Sequence, residues 1–289
     1  MPIPAPSSAE ELTVDVSHSF YFDHPLDHVP GIALVNALYE LASGAERNVR
    51  DVPRADRIQS RLRFTRFCET DRKTWLSCTA DVPGARSGER RWNVLAQQED
   101  NVVCEGVVCF TSSADDAGPD GPPAPQRERT PAGMPRTGSR KQSAAPARLV
   151  HRRWPENILV GAPTRSGDSL EAAVLTPPPG HVLRAAGSRL RTPAEVVEAG
   201  RQLCTLMEHV ELGQDMDTQL IWASLSVDLP VRMRHDLDLT LRSAIPADRN
   251  GMSHFRMTVL ETGSGLPIGS LTFAILAASP ERYAQLRFR

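Results

Sequence analysis

Long apolar runs, paired cysteines and an excess of one charge are all lacking in this sequence of 289 residues. No apolar run approaches the roughly 18 residues that a membrane-spanning helix needs, and the N-terminus lacks the basic and apolar regions of a signal peptide. A net charge of −2 gives no electrostatic reason to bind nucleic acid or an anionic membrane. The five cysteines form no CxxC pair, so we expect buried thiols in a reducing cytoplasm. The sequence thus predicts a cytoplasmic protein that binds neither nucleic acid nor a membrane.

A central stretch of the chain lacks large apolar residues almost entirely. It is rich in Pro, Gly, Ser and Arg, and it cannot bury enough surface to offset the entropy lost on ordering. We therefore predict a flexible linker at residues 112–148, with one domain at 1–111 and a second at 149–289.

The two predicted domains share a spacing pattern near their ends. Each has an aromatic residue, a glycine 14 positions later and a phenylalanine four positions after that: Trp92, Gly106 and Phe110, then Phe255, Gly269 and Phe273. A polar turn in the middle of each segment predicts a β-hairpin. The matched spacing predicts a duplicated domain.

One helix is predicted upstream of each hairpin. The first covers about residues 30–42, with Gly44 as its stop, and the second starts at a capping box formed by Thr192 and Glu195. Alternating segments follow each helix and suit an antiparallel sheet that packs one face on that helix. A central helix wrapped by such a sheet is the hotdog arrangement. The predicted fold is therefore α+β, a double hotdog whose two domains pair as a pseudo-dimer.

The loop before the first helix carries two Asp-His pairs within six residues, Asp23-His24 and Asp27-His28. A histidine held in one tautomer by a carboxylate can transfer a proton or polarise a carbonyl. The alternative is that one or both pairs brace a tight turn. Histidines four residues apart could bind a metal on a helix, but Pro25 opposes a helix there and no third ligand has suitable spacing. We predict no metal site.

The start of the first helix is a second feature with possible chemistry. Gly31 follows a proline, and the unpaired N–H groups at a helix start can hold the oxygen of a thioester carbonyl or an enolate. The alternative is that Pro and Gly only make a sharp turn into the helix.

The whole loop from Phe20 to Gly31 resembles a known family. Phe-Tyr-Phe-Asp-His-Pro-Leu-Asp-His-Val-Pro-Gly is similar to the Asp-His-Pro-x-Asp-His-Val-Pro-Gly motif of the AfsA-type hotdog repeat proteins of A-factor biosynthesis. Glu198-Ala-Gly-Arg-Gln202 resembles the helix of that family's other repeat. The motif also resembles hotdog β-hydroxyacyl-ACP dehydratases. Two departures stand out: the repeats are in swapped order, and the first helix has Asn36 where the family has Glu.

The resemblance implies a composite site made from the loop of one half and the helix of the other. His24, His28 and Glu198 are the implied catalytic residues. The implied substrate-binding residues are Asp23, Asp27, Gly31, Asn36, Arg201 and Gln202. A mirror site at Asn36 would be vestigial because Asn cannot be a general base. The alternative for Glu198 and Arg201 is a solvated ion pair on one helix face.

The activity implied by the resemblance is acyl transfer in secondary metabolism. A β-ketoacyl thioester of acyl carrier protein or CoA would be condensed with a phosphorylated three-carbon alcohol such as dihydroxyacetone phosphate, toward a γ-butyrolactone or butenolide signal. No cofactor is implied, and the protein would be a monomeric pseudo-dimer or a homodimer. The alternatives are a hotdog dehydratase or thioesterase and a non-catalytic acyl-binding protein.

Overall fold

Two long helices, each followed by antiparallel strands, make up most of the described residues. The computed structural model describes residues 8–24, 26–48, 55–81, 89–112, 143–246 and 251–287. The first half contains β1 (Ser8–Leu12), α1 (Gly31–Arg47), β2 (Arg57–Phe64), β3 (Thr74–Ala80), β4 (Glu89–Gln98) and β5 (Asn101–Thr111). The second half contains β6 (Thr164–Ser166), β7 (Ser169–Val174), β8 (Leu190–Arg191), α2 (Pro193–Val210), β9 (Gln219–Pro230), β10 (Met233–Arg234), β11 (Leu239–Ala244), β12 (Met252–Glu261), β13 (Pro267–Ala278) and α3 (Pro280–Arg287).

A single antiparallel sheet joins the two halves. Its strand order is β1-β3-β4-β5-β2-β9-β13-β12-β11-β7-β6, and β8 pairs with β10 separately. The junction is the β2–β9 pair, where Ser60 lies opposite Val227. Arg57 reinforces this junction, since its Nε and Nη2 donate to Oδ1 of Asp228 at 2.9 and 2.6 Å. Pairing the two halves in this way covers strand edges that each half alone would expose.

The apolar pattern of each half explains why its sheet wraps a helix. In β2, Ile58 and Leu62 are buried while Arg61 and Arg63 between and beyond them are exposed. The buried face packs toward the apolar side of α1, where Val35 and Leu38 are fully buried. A helix enclosed by an antiparallel sheet in each half confirms the predicted double hotdog.

The glycines of the predicted hairpins have equivalent places in the two halves. A Cβ atom on Gly106 would lie 2.0 Å from the carbonyl oxygen of Arg61, and one on Gly269 would lie 2.4 Å from that of Asp228. No side chain fits at either position. The aromatic residues are not equivalent, since Trp92 lies opposite Val108 whereas Phe255 lies opposite Phe273.

The predicted start of α2 is confirmed, whereas the predicted end of α1 is wrong. The capping box of α2 is confirmed: Oγ1 of Thr192 accepts from the Glu195 N–H at 3.2 Å, and Oε1 of Glu195 accepts from the Thr192 N–H at 3.1 Å. The prediction that Gly44 stops α1 is wrong, because the helix continues to Arg47. Its last turn is held against β4, where Nε1 of Trp92 donates to Oε2 of Glu46 at 3.1 Å.

Most of the predicted linker, residues 113–142, lies outside the described residues. Residues 143–148, which the prediction also placed in the linker, belong to the structure of the second half. Ala144 forms a bridge with Gly161, and Ala145 is buried just before a 3-10 turn at Ala147–Val150. The other domain boundaries stay predictions. In the part of the chain that the structure covers, no helix is long and apolar enough to cross a membrane.

Candidate functional site

The first part of the Asp-His motif is tied to the second half of the chain. Asp23 is 2% exposed, and its two carboxylate oxygens accept from the backbone N–H of Arg153 at 3.0 Å and from Nδ2 of Asn157 at 3.1 Å. Nη1 of Arg152 donates to the carbonyl oxygen of Phe20 at 2.7 Å. Asp23 therefore anchors the loop across the interface between the halves, and its oxygens are occupied by protein donors.

Glu198 on α2 is fully buried and is the centre of a charge network. Its Oε1 accepts from Nη2 of Arg152 at 2.6 Å, from Nη2 of Arg201 at 2.7 Å and from Nε2 of Gln202 at 2.7 Å. Its Oε2 accepts from Nε of Arg201 at 2.8 Å. Burial raises the pKa of this carboxyl, but the guanidinium groups of Arg152 and Arg201 outweigh burial and lower it to about 2. Glu198 is thus ionised, and it is not part of a solvated ion pair.

Gln202 makes backbone contacts in addition to its bond with Glu198. Its Nε2 donates to the carbonyl oxygen of Asn157 at 2.7 Å, and its Oε1 accepts from the Leu159 N–H at 2.8 Å. These bonds fix the segment after residue 152 on α2. Gln202 therefore positions the chain that carries Arg152.

His24 is a neutral imidazole beside this network. Burial, followed by the charges of Arg201 and Arg152, lowers its pKa to about 4. Its Nδ1 is buried and has no hydrogen-bond partner among the described residues. Of the described hydrogen bonds, none joins His24 to Asp23 or Glu198. His24 and Glu198 thus both lie near Arg152 and Arg201. The two arginines donate hydrogen bonds to the Glu198 carboxylate.

A cavity of about 890 Å³ lies along the junction of the halves. Its wall includes His24, His28 and His151, and apolar side chains such as Trp222 and Ile275. Seven arginines line it: Arg66, Arg72, Arg148, Arg152, Arg153, Arg201 and Arg287. Glu69 is the one carboxylate among the described lining residues. This composition suits a ligand that has both an anionic and an apolar part.

The start of α1 also faces this cavity. The residue before the helix, Pro30, makes no side-chain cap, and Pro30, Gly31 and Ile32 all line the cavity wall. A Cβ atom on Gly31 would lie 3.0 Å from Cε3 of Trp222 in the other half. The glycine thus lets the helix start approach the indole closely, while its first N–H groups stay available to an oxygen.

The second Asp-His pair belongs to a different cluster, which holds α3. Nδ1 of His28 lies 2.7 Å from Oδ1 of Asp27, and the Tyr283 hydroxyl donates to the same oxygen at 2.6 Å. Arg287 donates to Asp27 and forms an ion pair with Glu69. Burial raises the pKa of Asp27, but these donors outweigh burial and lower it to about 2. For His28 the arrangement favours the bracing role, although its ring also lines the cavity.

Among the described residues, the mirror position around Asn36 has no comparable network. Nδ2 of Asn36 donates to Oε1 of Glu40 on its own helix at 3.0 Å. In the loop between β7 and β8 of the second half, Nδ1 of His181 accepts from the Leu183 N–H at 3.2 Å. The His181 ring packs on Phe20, with 4.6 Å between the ring centroids. No carboxylate stands at Asn36 to hold an arginine in the way that Glu198 does.

Comparisons with known proteins place the chain in a family. A family model described as the A-factor biosynthesis hotdog domain, AfsA, matches residues 3–113 and 136–278. A protein from Streptomyces virginiae named 2-oxo-3-(phosphooxy)propyl 3-oxoalkanoate synthase is 33% identical over 105 residues, which cover 36% of this chain and 34% of that protein. The match therefore spans about a third of that relative.

Solved structures share the fold at low identity. A conserved protein of unknown function with a hot dog fold from Alicyclobacillus acidocaldarius has a TM-score of 0.56 at 12% identity, covering 96% of both chains. An acyl-CoA thioesterase II, TesB2, from Mycobacterium marinum has a TM-score of 0.53 at 15% identity, covering 86% of this chain and 89% of that chain. At such identities the two structures support the fold alone. Because the family model matches most of its length, the chain belongs to the A-factor biosynthesis hotdog domain family.

Proposed function

We propose that this protein is an acyltransferase acting on β-ketoacyl thioesters. The donor is a thioester of acyl carrier protein or CoA, and the acceptor is a phosphorylated three-carbon alcohol such as dihydroxyacetone phosphate. The product would lead to a γ-butyrolactone or butenolide signal. The name of the Streptomyces virginiae relative supports this choice of substrates, and the family membership supports the class of chemistry.

The observation that carries the proposal is the charge of the cavity wall. Arg66, Arg148 and Arg153 line it, and their guanidinium groups make no hydrogen bond or ion pair within the described residues. Free guanidinium groups match the geometry of phosphate oxygens. Apolar side chains in the same cavity, including Trp222, suit an acyl chain. Both substrate classes thus find matching chemistry in one space.

The proposed roles follow the geometry of the site. His24, neutral near pH 7, donates a hydrogen bond to the thioester carbonyl, and the N–H groups at the start of α1 help to polarise it. Glu198, with four donors on its oxygens, holds Arg152 and Arg201 in place. His28 and Asp27 fix the loop and α3 beside the cavity.

Mass spectrometry of the reaction products tests this proposal. The full chain is incubated with a β-ketoacyl thioester, on acyl carrier protein or on CoA, with and without dihydroxyacetone phosphate. Ester that forms only with the acceptor supports the acyltransferase. Free acid formed without an acceptor supports a thioesterase instead, and loss of water from a β-hydroxyacyl thioester supports a dehydratase. Binding of the thioester with no turnover would support a non-catalytic acyl-binding protein.

A further inference from the structure

Two histidines outside the Asp-His motif form a pair at the cavity. Nε2 of His151 lies 2.8 Å from Nε2 of His209, and Nδ1 of His209 lies 3.0 Å from the carbonyl oxygen of Gln214. His151 lines the cavity, and His209 lies in the last turn of α2. The pair thus connects the cavity wall with the carboxyl end of a helix.

The backbone of His151 is in an unusual conformation. Its φ of 51° and ψ of 50° are left-handed, directly after the 3-10 turn at Ala147–Val150. This conformation is strained for a residue with a side chain, and histidine is among the residues that adopt it most often. The strained backbone points to a constraint on where the ring must lie, which is typical of functional sites.

Proton counting assigns both tautomers of the pair. The carbonyl oxygen of Gln214 can only accept, so Nδ1 of His209 carries a hydrogen and Nε2 of neutral His209 is a lone pair. The contact between the two Nε2 atoms then requires the hydrogen to be on His151. Nδ1 of neutral His151 is consequently a lone pair, and it has no partner among the described hydrogen bonds. Nδ1 of His151 is therefore an available base in the cavity wall.

The charges around the two rings determine whether a proton taken from a substrate is held by His151 or by His209. Burial, followed by the charges of His209, Arg201, His24 and Arg152, lowers the pKa of His151 to about 3. A cation is disfavoured at that ring because two arginines face it. His209 lies in the last turn of α2, where the partial negative charge of the helix end favours a cation.

We propose that His151 is a general base of this cavity and that His209 positions it and receives the proton that it passes on. Nδ1 of His151 takes the proton of the acceptor hydroxyl as the hydroxyl oxygen bonds to the thioester carbon. At the same time the hydrogen on Nε2 of His151 moves to Nε2 of His209. When the C–S bond breaks, the leaving thiolate takes a proton back by the reverse path, so the pair ends neutral. The inference rests on the proposed function for the identity of the hydroxyl.

Nitrogen NMR on the full chain with ¹⁵N-labelled histidine tests the pair without any substrate. We expect a hydrogen on Nδ1 of His209 and on Nε2 of His151 at neutral pH. On acidification, the first proton that the His151–His209 pair takes up should give a doubly protonated His209 and switch His151 to the Nδ1–H tautomer. The variants His151→Gln and His209→Gln assign the signals. A hydrogen on Nδ1 of His151 at neutral pH, or a first proton that stays on His151, overturns the inference.

Kinetics of two His209 variants separates proton transfer from simple positioning. Glutamine can keep both hydrogen bonds of His209 but cannot take up a proton, whereas phenylalanine keeps neither. We expect His209→Gln and His209→Phe both to lower kcat, each by about 10²-fold, with KM for the thioester unchanged. The exposed His254 on β12 provides the control His254→Gln, which should leave kcat at the wild-type value.

Wild-type kcat in His209→Gln would show that His209 only positions its neighbour and would overturn the relay. Absence of ester with the wild-type protein would contradict the proposed function instead. In that case the NMR tautomers still decide the assignment of the pair, because they require no turnover.

Discussion

Glu198 shows how burial and charge compete at a single side chain. Burial raises the pKa of this carboxyl, but the charges of Arg152 and Arg201 lower it to about 2 and keep it ionised. The spacing of Glu198, Arg201 and Gln202 on one helix face made their contact predictable from the sequence. The contribution of Arg152 was not predictable, because its position depends on the path of a segment 46 residues away along the chain.

Replacing Glu198 with glutamine should destabilise the protein strongly. The variant Glu198→Gln removes the negative charge at the centre of the network, so that Arg201 loses its ion pair and Arg152 keeps only the longer contact with Asp23 at 3.9 Å. We expect a loss of about 3–5 kcal/mol in the free energy of unfolding, measured by urea denaturation. Glu10→Gln, at an exposed position on β1, should change it by less than about 0.5 kcal/mol. An equally small effect at Glu198 would contradict a role of this carboxylate in holding Arg152 and Arg201.

The lowered pKa of the Glu198 carboxyl predicts how the free energy of unfolding changes at low pH. The pKa of the Glu198 carboxyl is about 2 in the folded protein, against 4.5 for an unperturbed glutamate. The unfolded state therefore binds more protons between these values, and the stabilisation is fully present above pH 4.5 and is lost as the pH falls through about 2. Unfolding measured at a series of pH values should give a shallower acid slope for Glu198→Gln than for the wild type. Identical slopes would count against the lowered pKa.

The lowered pKa of His24 predicts a second change in stability, at a higher pH than that of Glu198. Its pKa falls from 6.5 to about 4 on folding, so the unfolded state binds more protons between these values. Stability should consequently decrease as the pH falls from 6.5 towards 4, and His24→Ala should weaken this decrease. The exposed His254, replaced in His254→Ala, is the matched control. Urea midpoints at pH 7 and pH 5 provide the measurement, and an unaltered decrease in His24→Ala would refute the expectation.

At the scale of helices and strands, local signals were reliable where a backbone constraint enforces them. The capping box at Thr192 and the two hairpin glycines are such constraints, and all three have the predicted places. Gly44 was a poor signal because contacts between the last turn of α1 and β4 outweigh the local preference for a helix end. Tertiary packing, which the sequence does not reveal directly, decides such ends.

The hairpin glycines should not tolerate even a methyl group. A Cβ atom in Gly106→Ala or Gly269→Ala would collide with a neighbouring backbone oxygen, which cannot move without disturbing the sheet. We expect each variant to lose about 2–3 kcal/mol or more of unfolding free energy in a urea titration. Gly263→Ala is the matched control, since a Cβ atom there meets nothing within 4 Å. Wild-type stability in Gly106→Ala would contradict the close approach of β5 and β2.

For the whole molecule, the duplication and the double hotdog were predictable from spacing and alternation. The site was only partly predictable, because it is composite. Residues from both halves line one cavity, and His151 and Trp222 join it through contacts that no local pattern announces.

The arginine-lined cavity predicts how the acceptor is held. The double variant Arg148→Ala, Arg153→Ala should raise KM for a phosphorylated acceptor by about 10- to 100-fold or more, because each hydrogen bond to a charged group contributes about 1.5–3 kcal/mol. kcat should change little. Arg232→Ala, at an exposed arginine outside the cavity lining, is the control. An unchanged KM in the double variant would argue against phosphate binding at this part of the wall.

In the proposed mechanism, His24 from the first half acts on an acyl group in a site completed by the second half. The most direct test is the rate of ester formation from a β-ketoacyl thioester and dihydroxyacetone phosphate in His24→Ala, compared with His254→Ala. Loss of a donor to the reacting carbonyl predicts a kcat lowered by about 10²–10³-fold for His24→Ala and a wild-type kcat for His254→Ala. A folded His24→Ala protein with wild-type kcat would contradict the claim.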